Sequence, residues 1–175
     1  MNDRYRIRVA QVLHYIEENL DRTLQLAELA EISHFSPYHF HRIFGGVMGE
    51  TASDYVRRRR LETAVNQLII HHPALRLRFR QTNGEPEQRI GDPFTCQIEQ
   101  IVLPPRHDPH ASAVETAHLN AANAALNLEK GPLLRLLHLR HADSQNGRLH
   151  IIIHHLLVDG VSWRILLQDL TTLYH

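Results

Sequence analysis

The sequence has a single cysteine, Cys96, and no net charge over its 175 residues. One cysteine excludes an internal disulfide framework and fits a reducing, cytoplasmic setting. No apolar run approaches the roughly 20 residues that a membrane span needs. The opening MNDRYRIRV also lacks the apolar stretch of a signal peptide, so no membrane partner is expected. There is no Gly-rich phosphate loop and no internal repeat, and no cofactor is expected. Fifteen histidines are present, yet none has zinc-site spacing. His39 and His41, two apart on a helix, diverge, and so do the neighbours His71/His72 and His154/His155; no metal site is expected. Charge is balanced locally as well, with nine basic and nine acidic side chains in residues 1–70, which excludes a whole-domain basic field. The basic excess is confined to residues 32–60, where Arg42 and Arg57 to Arg60 outnumber Glu50 and Asp54.

What is present is globular: 43% hydrophobic and 22% charged residues, long enough to bury a core. The chain is organised around Thr51 to Phe79. Thr51 or Ser53 can cap a helix in which Tyr55, Leu61, Ala64, Val65, Leu68 and Ile69 recur at spacings of three and four. Pro73 stops it. Beyond Pro73 the period drops to two, with Leu75, Leu77 and Phe79 facing one way and Arg76, Arg78 and Arg80 the other.

Before this stretch, Ile7, Val9, Val12, Leu13, Ile16 and Leu20 predict a helix over about residues 4–20. Leu24, Leu26, Leu29 and Ala30 predict a short second one. Ser36–Pro37 starts a third, about 36–48, which buries Phe40, Ile43, Phe44 and Val47 and ends near Gly45 or Gly49. Two short helices joined by a tight turn suit a helix-turn-helix. The spaced residues Leu29, Ala30, Ser36, Phe40, Arg42, Phe44, Gly49, Tyr55, Arg60, Leu61 and Ala64 resemble the AraC-type transcription regulators, over about residues 5–68. The resemblance implies a third helix in the major groove of duplex DNA, with Tyr38, His41 and Arg42 meeting base edges and phosphates, and Arg60 among the matched positions. An arginine fork suits a guanine edge. The family's second helix-turn-helix unit does not follow, so phosphate contacts would be few and binding weak.

After it, Asn83–Gly84 signals a hairpin leading to a strand near Gln88–Ile90. Further strands are expected over Cys96–Leu103, Leu133–Arg140 and Arg148–His154. The last of these is rich in β-branched residues and so expected at the sheet centre. Alanine-rich helical register covers Ala111–Leu128, and a final helix over Ser162–Tyr174 buries Trp163, Leu166, Leu167, Leu170 and Tyr174. Helices and strands in this order suit a two-layer α/β sandwich. Between the expected central strand and the last helix stands His154-His155-Leu-Leu-Val-Asp159-Gly160. Adjacent strand residues point oppositely, so one histidine would be structural and the other would face a cleft as base or donor. Gly160 allows a sharp exit.

This segment, with HHPALRLRF and EKGPLLRLLHLR, resembles the condensation superfamily of non-ribosomal peptide synthetases, relatives of chloramphenicol acetyltransferase. HHLLVDGVSWRILLQDL is similar to the epimerization subtype. The resemblance covers residues 61–175. It implies that His155 is catalytic, Asp159 is structural and paired with Arg76, and His154 is an inward structural residue. A carrier protein bearing the aminoacyl group would be the partner, and the family's tunnel lies between two lobes.

The fold expected is therefore α+β: an all-α helix-turn-helix bundle over residues 1–68, joined by a long helix to a partial chloramphenicol acetyltransferase-like lobe over residues 69–175. The reading favoured from sequence is DNA binding by one helix-turn-helix fused to an incomplete, inactive lobe. The alternatives are a condensation or epimerization fragment acting through His155, or an inactive fusion remnant. An exposed sheet edge in the incomplete lobe is expected to promote a homodimer.

Overall fold

The structure, a computed structural model, describes residues 3–144 and 146–174. It divides into two compact units, Met1–Thr63 and Ala64–His175. In the first, helices α1 (Asp3–Glu18), α2 (Leu26–Ile32) and α3 (Pro37–Met48) precede α4 (Ala52–His71), which continues unbroken into the second unit. Ser36 caps α3 by accepting from the His39 amide, and Pro37 occupies the first helical position. Gly49 ends α3 at φ 73°, a left-handed conformation that costs glycine nothing. Thr51 caps α4, its hydroxyl oxygen accepting from the Asp54 amide at 3.1 Å. Val9, Val12 and Ile16 of α1, Leu29 and Ala30 of α2, Phe40 and Phe44 of α3, and Tyr55 and Val56 of α4 form one buried cluster. Each stripe read from the sequence in this unit contributes to that cluster, but Ile7 of α1 and Leu26 of α2 are exposed and lie outside it.

The second unit holds the end of α4, a 3-10 turn Pro73–Arg76, and strands β1 (Leu77–Thr82) and β2 (Glu85–Ile90). Then follow β3 (Ile98–Leu103), α5 (Ala111–Ala124), β4 (Leu134–His141), β5 (Gly147–Ile153), a 3-10 turn His155–Leu157, and α6 (Gly160–Tyr174). β1 and β2 form a separate antiparallel hairpin, and both turn residues, Asn83 and Gly84, have positive φ, as a tight two-residue hairpin turn requires. β3 and β4 are parallel with α5 as the crossover, and β4 and β5 are antiparallel.

Four expectations do not hold, the first two together. The strand order is β3-β4-β5, so β4 is central and the β-branched β5 is an edge. β4 takes the central place by having apolar residues on both faces. Leu137 and Leu139 pack with Ile101, Leu103 and Ala122 against α5. Leu134 and Leu136, on the opposite face, line an apolar pocket with Val65 and Leu68 of α4 and Trp163, Leu166 and Leu170 of α6. Helices thus cover both faces of the three-stranded sheet, where a two-layer sandwich was expected. Thirdly, the alternation begun at Leu75 starts two residues late: Leu75 is buried within the 3-10 turn, and in β1 it is Arg78 that is buried. Fourthly, Leu167 is 48% exposed, leaving Leu166 as the buried residue of α6.

Candidate functional site

The histidine pair lies where the chain leaves the edge strand for the last helix. β5 stops at Ile153, so the two rings are not alternating strand residues. The His154 amide donates to the Leu133 carbonyl at 2.9 Å, tying the turn to the start of the central strand. Its side chain caps the 3-10 turn, Nδ1 accepting from the Leu156 amide at 3.2 Å. That assignment leaves Nδ1 unprotonated, and the imidazole is half-buried. His155 is exposed, and among the described residues its ring makes no hydrogen bond or ion pair. Leu156 and Val161 beside it are exposed apolar side chains. One histidine builds the turn and the other is presented outward.

Asp159 does something other than the sequence implied. One carboxylate oxygen accepts from both the amide and the hydroxyl of Ser162, each at 2.7 Å, so Asp159 caps α6. The Ser162 hydroxyl, followed by backbone amides, holds its carboxyl below the usual range. Asp159 and Arg76 form no ion pair. Arg76 Nη1 donates to the Gly91 carbonyl at 3.1 Å, and its Nε is buried without a partner. Gly160 is the first residue of α6 and has nothing within 4 Å of a Cβ position, so space does not demand glycine there.

A pair that no motif announced spans the same unit. His72 Nε2, after the last turn of α4, lies 2.8 Å from an Asp169 oxygen of α6, 97 residues away. Spacing carries no signal for such a contact; only the packing of α4 and α6 on one sheet face creates it.

On α3, Tyr38 is 81% exposed, and His41 and Arg42 are exposed beside it. Arg60 is not available with them. It donates from Nε to the Leu20 carbonyl at 2.8 Å and from Nη2 to the Arg22 carbonyl, holding the end of α1 against α4. The other three arginines of the run are committed to carboxylates: Arg57 to Asp54, Arg58 to Glu50 and Glu62, Arg59 to Glu17 and Glu62. Arg58, Arg59 and Arg60 are therefore held within the unit, whereas the Arg57–Asp54 pair lies exposed at its surface. Among the described residues no group of three or more His, Cys, Asp or Glu could hold a metal, and no helix is long and apolar enough to cross a membrane.

An α/β lobe with a histidine turn between an edge strand and a capped helix is the class of structure that these elements define. The family model of the condensation domain matches residues 47–175, and the chain belongs to that family. A shorter match, to bacterial regulatory helix-turn-helix proteins of the AraC family, covers residues 16–57. The chain is 36% identical over 150 residues to the chondramide synthase cmdD of Chondromyces crocatus, covering 78% of this chain and 3% of that protein. It is 32% identical to gramicidin S synthase 1 of Brevibacillus brevis, over 95% of this chain and 16% of that protein. Among solved structures it resembles the epimerization domain from the third module of tyrocidine synthetase B. There the TM-score is 0.56 at 28% identity, over 66% of this chain and 26% of that one. It also resembles a mutant of the starter condensation domain of the rhizomide synthetase RzmA, with TM-score 0.52 at 27% identity, over 66% and 28%. The chain thus spans about a quarter of each solved relative. These likenesses favour the condensation reading over the DNA-binding one that the sequence put first.

Proposed function

We propose that residues 69–175 supply the histidine-bearing lobe of a condensation- or epimerization-type site for aminoacyl or peptidyl groups tethered to a carrier protein. Met1–Thr63 form a separate compact unit that carries the helix-turn-helix. The observation that carries this reading is the division of labour at His154 and His155, in a chain whose condensation match covers residues 47–175. His154 spends its ring on the turn, which leaves His155 outward and unbonded, as a group that must take a proton from a substrate has to be. Asp159 acts one step away, by fixing the start of α6 directly after the turn. A second lobe would provide the enclosure in which such a base gains orientation and a low dielectric.

The test follows the ring resonances of His155 while an aminoacyl-loaded carrier protein is added. A saturable shift of His155, absent with unloaded carrier, is the expected result. No shift at His155, together with salt-sensitive binding of duplex DNA that Arg42→Ala abolishes, would overturn it.

The second reading, DNA recognition by α3, has its own support in the exposure of Tyr38, His41 and Arg42 and in the match over residues 16–57. With Arg58 to Arg60 engaged within the unit, few phosphate contacts remain, and the salt dependence of binding would be shallow.

A further inference from the structure

β5 has the composition of a central strand and the position of an edge. Leu149, Ile151, Ile152 and Ile153 are apolar, yet the strand has β4 on one side only. Among the described residues, its outward backbone groups bond to nothing else in the chain. An edge of that kind is a template for another strand. The opposite edge of the sheet is blunted, since β3 carries Glu99 and Gln100 and ends at Pro104–Pro105.

The two faces of β5 differ. Arg148 and His150 lie 3.7 and 3.9 Å from Glu115 of α5, and Ile152 packs on the cluster beneath that helix. Leu149, Ile151 and Ile153 therefore face the other way. Ile151 and Ile153 line the apolar pocket under α6 and are half-buried there, and Leu167 in the same lining is 48% exposed. Leu134 and Leu136 of β4, in that pocket too, are buried. The uncovered apolar surface thus lies on the β5 side.

We infer that β5 is the contact of a homodimer, pairing antiparallel with β5 of a second copy across a two-fold axis through Ile151. Both copies offer the same edge, so the axis passes through one residue, and side-chain chemistry selects it. An axis through Leu149 sets Arg148 against His150 of the second copy, and one through His150 sets two imidazoles together. An axis through Ile151 pairs that residue with itself, Leu149 with Ile153 and His150 with Ile152, and leaves Arg148 outside the paired segment. The two three-stranded sheets become one, and β5 gains the second neighbour that its composition suits. Such a contact closes at two copies. It does not depend on the role given to His155.

The experiment is sedimentation of the whole chain over rising concentration, paired with hydrogen exchange resolved to single amides. A monomer–dimer equilibrium is expected, with β5 amides exchanging more slowly as concentration rises and β3 amides unchanged. Leu149 is 36% exposed, so Leu149→Lys should keep the circular dichroism of the folded chain. It should raise the dimer's dissociation constant at least about tenfold, because the charge enters two symmetry-related pairs. In dimers mixed from differently labelled chains, methyl contacts between Leu149 of one copy and Ile153 of the other report the register. A chain that stays monomeric, or a dimer that Leu149→Lys leaves as tight as before, would overturn the proposal. So would concentration-dependent protection at β3 in place of β5, or contacts that set Leu149 against Leu149.

Discussion

Replacing Glu62 by alanine tests whether the arginine run belongs to the fold. Glu62 is 2% exposed, and both of its oxygens lie 3.3 Å from Arg58 Nη1, with Arg59 also bound to one of them. Breaking a buried pair from one side costs about 3–5 kcal/mol when the remaining charge is stranded. Here neither arginine is stranded. Arg58 keeps Glu50 at 2.7 Å and lies 4.9 Å over the Tyr55 ring, while Arg59 keeps Glu17 at 2.7 and 2.8 Å. The cost should therefore sit near the lower bound, about 3 kcal/mol. At about 1.4 kcal/mol per decade, that is roughly a hundredfold rise in the opening constant of this unit. Native-state hydrogen exchange on amides of α4 between Tyr55 and Glu62 reads it directly, with α5 amides in the other unit as the internal control. Glu62→Gln, which keeps an acceptor oxygen, should cost less. If exchange of these amides in Glu62→Ala rose less than about fivefold, the network would be a set of solvated surface pairs and the reasoning would fail.

Acid should loosen the first unit. Glu28 is held down to about 2, from an ordinary value of 4.5, by hydrogen bonds from Arg22 and then Tyr15. Glu17 is lowered in the same way by Arg59. A depressed carboxylate stabilises the fold fully above its ordinary pKa and loses that contribution as pH falls through the folded value. The first unit should therefore lose stability between pH 4.5 and about 2, which circular dichroism melts of the helices would show, and no change in melting across that window would contradict the assignment. Two glycines separate backbone strain from lost space. Gly49 and Gly131 both have positive φ, but a Cβ at Gly49 meets nothing within 4 Å, whereas at Gly131 it meets the buried Arg78 fork. Gly49→Ala should cost about 1 kcal/mol in denaturant unfolding. Gly131→Ala should cost more, because it also breaks the Arg78 hydrogen bonds, and equal costs would refute the packing account.

The helices were legible because their signals are local. Ser36–Pro37, Gly49, Thr51 and Pro73 each act within one turn of their own backbone, and the apolar stripe of α1 or α3 needs only some partner to bury against. The Asn83–Gly84 turn is local in the same sense. Strand position was not legible. β5 reads as central because Ile151, Ile152 and Ile153 are apolar in sequence, yet a strand becomes central only by having neighbours on both sides, and β3 returns to β4 through α5. The same limit explains the site. The motif HHLLVDG located the turn, but alternation assigned the rings as though the strand ran through them. The strand ended one residue early, and a capping bond then decided which histidine is outward.

The order of residues alone determined where helices start and stop, where the hairpin turns, and that a histidine-bearing turn separates the last strand from the last helix. Each of those outcomes is settled by forces acting over a few residues. Tertiary packing alone decided that Arg76 meets the Gly91 carbonyl and not Asp159, that His72 meets Asp169, that Arg59 meets Glu17, and that Arg60 holds the Leu20 and Arg22 carbonyls. A charged side chain has many partners within reach of its sequence, and only the folded chain settles which of them it faces once water is excluded.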